Sequence, residues 1–400
     1  MGLNPYVGYF SLLFLLEVFA AEAADFNVVD YGAVGDGVKD STQAFIDTWK
    51  LACASKATPS YIVPKGSFRV GQVTFEGPCK GFMNFAIQGN IRAESDPSKF
   101  NENWIVFEKI KGMQLSGGGT FDGQGSVAWK KDLCKQEGKC NTLPPNARFD
   151  FIEDALITDI TSLNSKQFHI NILSCKNITF SSVTIKAPGD SPNTDGIHMG
   201  SSNGVNITNS VIATGDDCVS IGPGSQNVYV VGVTCGPGHG ISVGSLGKYK
   251  NEEDVRGVTV RNCTITGASN GVRIKTWPKS PASEASDFIF DDIVMENVMN
   301  PINIDQIYCP DGGSSCEEMD PSKVKISDVT FNNIRGTSQT RNAIRIVCSK
   351  GVPCEDVRIG EVNLKYTGSD GPAKSVVEFA DLILSGSQVP PVTNSAPNSS

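Results

Sequence analysis

The chain is 400 residues long, 39% hydrophobic and 19% charged, which is apolar enough for a buried core and excludes a largely disordered protein. Its formal charge is −9, with 34 Lys and Arg against 43 Asp and Glu. A net acidic chain is poorly suited to general binding of nucleic acid or anionic membrane. An anionic ligand would therefore need local positive charge.

The first predicted element is a leader. The long apolar run at residues 10–21 is too short for a secure membrane span. The small residues Ala21 and Ala23 offer a cleavage site before Ala24, so residues 1–23 are predicted to be a signal peptide. An uncleaved anchor or a buried N-terminal helix is the alternative. Cleavage removes two acidic and no basic residues, which makes the mature charge −9 + 2 = −7.

Twelve cysteines in a secreted chain indicate disulfide bonds. The spacings predict the pairs Cys53–Cys79, Cys134–Cys140, Cys218–Cys235, Cys309–Cys316 and Cys348–Cys354. Cys175 and Cys263 remain as buried thiols. A zinc site is the alternative, and it is disfavoured because no Cys-x-x-Cys pair exists and the three histidines are scattered. Glycosylation sequons agree with secretion and occur at Asn177, Asn206, Asn262 and Asn398.

A short helix is predicted near the mature N-terminus. Apolar residues recur at helical spacing after Asp40 and Ser41, either of which would serve as the N-cap. The recurring residues are Ala44, Phe45, Thr48, Trp49 and Ala52. We expect this helix to cover the open end of the repeat structure that follows, because terminal repeats need a cap.

Two classes of short, alternating apolar segment recur along the rest of the chain. The first class begins at Asn177, Asn206, Asn227, Gly257, Asp287, Val324 and Val357, with spacings of 29, 21, 30, 30, 37 and 33 residues. The second class begins at Gly196, Cys218, Gly240, Gly271, Pro301 and Ala343. Gly, Asn and Asp at the boundaries suit turns that need a positive φ.

Short strands at this long period, with no helical stretches between them, predict an all-β fold of stacked coils, the parallel β-helix. A β-sandwich is the alternative, and it would show turns every 8–12 residues without a long period. Nothing suggests a linker, so residues 24–385 are predicted to form a single domain. Residues 386–400 are rich in Ser, Pro and Asn and are predicted to be a disordered tail.

Candidate catalytic residues precede successive strands of the second class. Asp195, Asp217 and His239 are separated by 22 and 22 residues, and Asp216 adjoins Asp217. Residues one coil apart lie on neighbouring strands about 4.8 Å apart. The next strand places Arg273 and Lys275 on one face by its two-residue alternation, which joins two cations to the same cluster.

This cluster has the chemistry of glycoside hydrolysis. Carboxylates held close together cannot all ionise cheaply, so one pKa rises and that group can act as a general acid. A purely structural Asp ladder at the turns is the alternative. His169 and His198 are predicted to be structural, because neither has a polar partner at the coil spacing.

Four strings of the sequence resemble the signature motifs of the polygalacturonases, family 28 of the glycoside hydrolases. They begin at Asn193, Gly215, Gly236 and Arg273, and the resemblance extends from Phe26 through Cys354. It implies a right-handed parallel β-helix that hydrolyses α-1,4-galacturonosyl links of pectin with inversion.

The resemblance also implies residue roles. Asp216 is the general acid, Asp195 and Asp217 deprotonate the attacking water, and His239 tunes the acid. Arg273 and Lys275 bind uronate carboxylates, and Asn193 and Tyr308 contact substrate.

The implied partner is a pectic polysaccharide, and the implied location is the cell wall outside the cell. The resemblance implies a monomeric enzyme with no cofactor or metal and with no nucleic-acid or membrane partner. Two stretches, 244–255 and 270–277, resemble pollen exopolygalacturonases, some of which are allergens, and imply release of galacturonate from chain ends. Endo action, a pectin or pectate lyase of the same fold, and a non-catalytic wall protein are the alternatives.

Overall fold

The computed structural model describes residues 24–130, 143–310 and 320–393. The strands pair in parallel and stack into coils, which confirms the predicted parallel β-helix. One sheet has eleven strands, and we call it the site sheet. Its strands are Val73–Glu76, Ile105–Glu108, Ala147–Asp150, Ile170–Leu173, Ile197–Gly200, Val219–Ile221, Ile241–Leu246, Asn270–Thr276, Asn300–Asp305, Asn342–Val347 and Lys374–Glu378.

A second, 23-stranded sheet forms the other sides of each coil. Its strands are Asp25–Asn27, Asp36–Asp40, Ser60–Val63, Ser67–Arg69, Met83–Ile87, Asn90–Arg92, Lys111–Ser116, Thr120–Asp122, Glu153–Thr158, Thr161–Leu163, Lys176–Ser181, Thr184–Lys186, Asn203–Thr208, Val211–Ala213, Gln226–Val231, Thr234–Cys235, Val255–Thr266, Ser283–Val298, Val324–Ser338, Cys354–Ile359, Val362–Tyr366, Ala380–Leu384 and Gln388–Val389. The predicted segments of the first class all lie in this sheet, and those of the second class all lie in the site sheet.

The register of the site sheet reproduces the spacing of the sequence. Ile197 pairs with Val219, and Val219 pairs with Ile241, at intervals of 22 residues. The inward side chains therefore stack coil on coil. The rings of Phe75, Phe107 and Phe149 begin this ladder with centroids 5.0 Å apart, and apolar side chains continue it in later coils. Burial of this ladder fixes which side chains face outward.

Residues in the left-handed backbone region lie near the N-terminal ends of strands of the second sheet. Their φ values are between 52° and 74°, and they are Asp154, Asn177, Gly204, Asn227, Gly257, Asp287, Asp328 and Asp356. Asn, Asp and Gly tolerate this conformation better than other residues do. The prediction of positive-φ turns at these boundaries is confirmed.

Helix Thr42–Ala54 covers the N-terminal end of the coils. Its buried Trp49 stacks on Phe85 at 5.5 Å and meets Phe75 edge-on at 5.3 Å. Ser41 is the N-cap residue by position, but its hydroxyl is bonded to Val34, and the Asp40 carboxylate accepts the Thr42 N–H at 2.8 Å. The other helical segments of the described ranges are the α-helix Ser126–Lys130 and the 3₁₀ turns Val28–Tyr31 and Pro97–Lys99.

Three of the predicted disulfides are present among the described residues, and they are Cys53–Cys79, Cys218–Cys235 and Cys348–Cys354. Cys175 and Cys263 are buried thiols, as expected. Cys309 is disulfide-bonded, and its expected partner Cys316 lies outside the described residues, as do Cys134 and Cys140.

Of the predicted terminal segments, only part of the C-terminal one falls within the described residues. The predicted signal peptide 1–23 and the sequon at Asn398 lie outside the described residues. The strand Gln388–Val389 falls within the range predicted as a tail and pairs with Val362 and Asn363, so the ordered coils continue past residue 385. Within the described ranges, none of the helices has the length and apolar character needed to cross a membrane.

Candidate active site

The loops that enter the site sheet bring the predicted carboxylates together, and glycines make that approach possible. His239 stands between Gly238 and Gly240, whose φ values are 125° and 82°. A Cβ at Gly238 would lie 2.3 Å from the backbone oxygen of Asp216. The His239 N–H donates to that same oxygen at 2.9 Å. A residue with a side chain at position 238 would therefore separate the two coils.

Asp216 and His239 form a side-chain pair at the surface of the cluster. His239 Nδ1 lies 2.8 Å from Asp216 Oδ1, which also accepts the backbone N–H of Asp217 at 2.7 Å. The Asp216 side chain is 21% exposed and that of His239 is 43% exposed, so both reach solvent. The hydrogen bond to Asp216 raises the pKa of His239, against the lowering effect of burial.

Asp217 is the charged centre of the site. Its carboxylate is 1% exposed and accepts from Arg273 at 2.8 Å, from Lys275 at 2.7 Å and from the Ser242 hydroxyl at 2.8 Å. Burial raises the pKa of Asp217, but the two cations outweigh burial and hold it at about 2. Asp217 is therefore ionised at any physiological pH. Arg273 also donates from Nε to the Ser242 hydroxyl at 3.1 Å, which fixes the guanidinium.

Asp195 has the opposite electrostatic environment. Its side chain is buried, and burial together with the negative charge of Asp216 raises its pKa to about 6. His198 Nδ1 lies 3.3 Å from Asp195 Oδ2, and this contact lowers the pKa in part. Neighbouring carboxyls of different proton affinity are the usual arrangement for acid and base roles. The site therefore contains a carboxylate that stays ionised and a carboxyl that holds a proton at mildly acidic pH.

The structure brings seven of the eight sequence-predicted site residues together. Tyr308 lies beside the cations, with its ring centroid 5.9 Å from Arg273 Cζ and 5.3 Å from Lys275 Nζ. Asn193 is the exception. It is exposed, has a φ of 51°, and its side chain makes no hydrogen bond with any described residue. The coil spacing positioned the carboxylates, whereas Asn193 lies in the turn before them.

Sequence reasoning missed His198. The expectation that it has no polar residue at the coil spacing is wrong, because Ser220 is paired with it one coil away. It also contacts Asp195 and stacks on Phe168 with ring centroids 4.2 Å apart. A signal was available: His198, Ser220 and Ser242 follow one another at 22-residue intervals and are paired in the sheet. His169 does behave as expected. It is buried, Nδ1 bonds the Ser162 hydroxyl at 2.8 Å, and burial lowers its pKa to about 3.

Two carboxylates and an imidazole of the site offer ligand atoms of the kinds that bind metal ions. Ligand atoms of Asp216, Asp217 and His239 lie within 4.8 Å of one another. Both oxygens of Asp217 already accept from a cation. A divalent ion there would meet the charges of Arg273 and Lys275, so this donor set fits an acid–base cluster better than a metal centre.

Comparison with known proteins identifies the family. Residues 53–381 match the model of glycosyl hydrolases family 28. An exopolygalacturonase from Platanus acerifolia is 53% identical over 369 residues, which cover 92% of this chain and 97% of that protein. An exopolygalacturonase from Oenothera organensis is 51% identical over 88% of this chain and 98% of its own length.

Solved structures agree on the fold. The exopolygalacturonase of Thermotoga maritima superposes with a TM-score of 0.71 at 19% identity and covers 90% of each chain. The polygalacturonase of Erwinia carotovora gives 0.70 at 22% identity, over 90% of this chain and 97% of its own. At these identities the likeness shows the fold, a right-handed parallel β-helix, and the sequence matches show the rest: this chain belongs to glycosyl hydrolase family 28.

Proposed function

We propose that this chain is an extracellular exopolygalacturonase, which hydrolyses α-1,4-galacturonosyl links of polygalacturonate with inversion and releases galacturonate from chain ends. The observation that carries the proposal is the cluster of Asp195, Asp216 and Asp217 on one side of the site sheet, with Arg273 and Lys275 buried against one of its members. The two relatives named exopolygalacturonase, at 53% and 51% identity over nearly their whole length, support the exo assignment.

Asp216 is the general acid in this proposal. Among the three carboxylates it is the one that reaches solvent through a 21% exposed side chain, so it can approach a glycosidic oxygen. Burial and then the negative charge of Asp216 raise the pKa of Asp195, so the two side chains interact electrostatically. As the general acid, Asp216 delivers a proton to the leaving oxygen, and Asp195 must be ionised to accept one from the attacking water. His239 holds Oδ1 of Asp216 and leaves the other oxygen to carry the proton.

Asp195 and Asp217 act on the water in this proposal. An inverting glycosidase needs a carboxylate on the face of the sugar opposite the acid, to deprotonate the attacking water. Asp195 has the proton affinity of a base, because burial raises its pKa to about 6. Asp217, ionised by its two cations, orients the water and contributes negative charge toward the cationic transition state.

Arg273 and Lys275 provide the local positive charge that a net-acidic enzyme needs for an acidic sugar. Their side chains are 10% and 8% exposed and converge on Asp217, so each has donors beside the scissile bond. We propose that they hold a uronate carboxylate there, with Tyr308 packed on the sugar ring and Asn193 in contact with substrate from the preceding turn. An endopolygalacturonase from Stereum purpureum has been solved with two galacturonates.

The proposed setting is the plant cell wall, outside the cell, and the proposed partner is a pectic polysaccharide. The plant exopolygalacturonases among the relatives support this assignment. The proposal includes no metal or cofactor, no nucleic-acid or membrane partner, and a monomeric enzyme. A mature charge of −7 keeps the surface repulsive to other polyanions, so uronates are attracted at the site rather than over the whole protein.

The test is a time course with polygalacturonate at mildly acidic pH. We expect monomeric galacturonate from the earliest points, with a slow loss of viscosity. A rapid fall in viscosity with mixed oligomers would identify endo action. Ultraviolet-absorbing unsaturated products that disappear on chelation would identify a lyase. Asp216→Asn should abolish turnover and largely retain binding, whereas a non-catalytic wall protein would show no turnover in either form.

A further inference from the structure

A row of aromatic and cationic side chains extends outward from the catalytic cluster. The alternation that turns Arg273 and Lys275 to the outer face of strand Asn270–Thr276 continues to Trp277, two residues beyond Lys275. Trp277 meets Tyr308 edge-on, with ring centroids 5.5 Å apart and planes at 80°. Tyr308 in turn lies over the cations on Asp217. The row therefore leads away from the scissile position along one wall.

Lys248 lies at the outer end of this row. Its ammonium is 5.3 Å from the Trp277 ring centroid and 5.5 Å from that of Tyr249. The loop that carries it is anchored, because the Glu252 carboxylate accepts the N–H of Gly247 at 2.6 Å and that of Tyr249 at 2.8 Å. The two stretches that resemble exopolygalacturonases, 244–255 and 270–277, thus come together at this contact.

The charge on Lys248 is available to a ligand. Arg273 and Lys275 are held by Asp217, whereas Lys248 is exposed and forms no ion pair within the described residues. The indole N–H of Trp277 is buried and finds no acceptor among them. Such a donor needs an explanation in a folded protein. A cation over an indole, with a second exposed ring beside it, is suited to a sugar that bears a carboxylate.

We propose that Lys248, Trp277 and Tyr249 form a further subsite, which binds a uronate unit beyond the two that flank the cleaved bond. The inference rests on the proposed function, because it assumes a polyuronate chain in the groove. An exo enzyme that releases one unit has a single sugar on one side of the bond. The additional subsite must then bind the third unit, on the side of the leaving chain, with Tyr308 standing between it and the catalytic cluster.

Substrate length tests this assignment. Digalacturonate occupies the two positions that flank the bond and does not reach Lys248, whereas trigalacturonate does. In Lys248→Gln we expect KM for trigalacturonate to rise about three- to tenfold, with kcat and the kinetics on digalacturonate unchanged. Lys250→Gln is the matched control, since it removes the same charge from an exposed position of the same loop. Lys248→Arg should restore most of the affinity.

The outcomes separate the two proposals. Equal effects of Lys248→Gln on digalacturonate and trigalacturonate, or equal kinetics of the Lys248 and Lys250 variants, would overturn the subsite while wild-type hydrolysis leaves the proposed function standing. A wild-type protein that hydrolyses neither substrate would overturn both. Trp277→Leu provides a second variant, and its thermal unfolding is measured beside wild type. We expect the same length-dependent rise in KM from a folded protein.

Discussion

Asp217→Asn should reduce both the stability of the protein and its activity. The substitution keeps the size of the side chain and removes its charge. It leaves Arg273 and Lys275, which are 10% and 8% exposed, without the carboxylate that they share. Two buried cations that repel each other then have no counter-charge. We expect both a large loss of folding free energy and a loss of turnover.

The magnitude follows from the pKa of Asp217. A fall of the Asp217 pKa from 3.8 to about 2 corresponds to about 2 kcal/mol in favour of the ionised folded state. Removal of one partner of a buried ion pair costs about 3–5 kcal/mol, because the remaining charges are stranded. For a domain of this size that is a fall in Tm of about 4–6 °C. The difference in stability between wild type and Asp217→Asn should be complete above pH 3.8. It should disappear as the pH falls through about 2, because the pKa of Asp217 is lowered in the folded state.

Denaturant unfolding across this pH range measures the effect, with two further variants for comparison. Asp216→Asn is the matched control: among the described residues, Asp216 is bonded by the partly exposed His239 and not by a buried Arg or Lys, so we expect turnover to be lost with a smaller fall in stability than in Asp217→Asn. In Asp217→Asn combined with Lys275→Met, removal of one stranded cation should recover part of the stability and none of the activity. Equal stability of the Asp216 and Asp217 variants at neutral pH would refute the assignment of Asp217 as the buried ion-pair centre.

Three further results are expected. His198→Gln removes a contact that lowers the pKa of Asp195, so the acidic limb of the pH–rate profile should move to higher pH; an unmoved limb would contradict a basic role for Asp195. Gly238→Ala places a Cβ 2.3 Å from the backbone oxygen of Asp216 and should reduce kcat about 10²-fold by displacing His239. A variant with the kcat of wild type would show that the close approach of Gly238 to Asp216 is unimportant for activity. Replacing Cys218 and Cys235 by Ala opens a 17-residue loop and should cost about 3 kcal/mol of folding free energy, measured by denaturant unfolding.

The sequence was sufficient for the position of each candidate catalytic residue along the coil axis. In a parallel β-helix the distance between neighbouring strands is fixed, so equal spacing in sequence becomes adjacency in space. Asp195, Asp217 and His239 are 22 residues apart, and so are the strand residues that follow them. The same interval relates His198, Ser220 and Ser242, which are paired in the sheet.

The tertiary structure alone decided the charge state of each carboxyl. Asp217 is ionised because Arg273 and Lys275 reach it across 56 and 58 residues of chain. Asp195 is buried beside Asp216 and pairs with His198, with no Arg or Lys on it among the described residues. A regular spacing does not distinguish these two environments, because they depend on burial and on the positions of the charged groups of neighbouring side chains.

The contact of Lys248 with Trp277 was likewise decided by folding. It joins a loop to a strand end 29 residues later in the chain, and it depends on how Glu252 anchors that loop. The sequence by itself determined the coil, its register and the gathering of acids on one face, because strand geometry is periodic. Proton affinities and loop contacts are not periodic, so only the tertiary structure determines them.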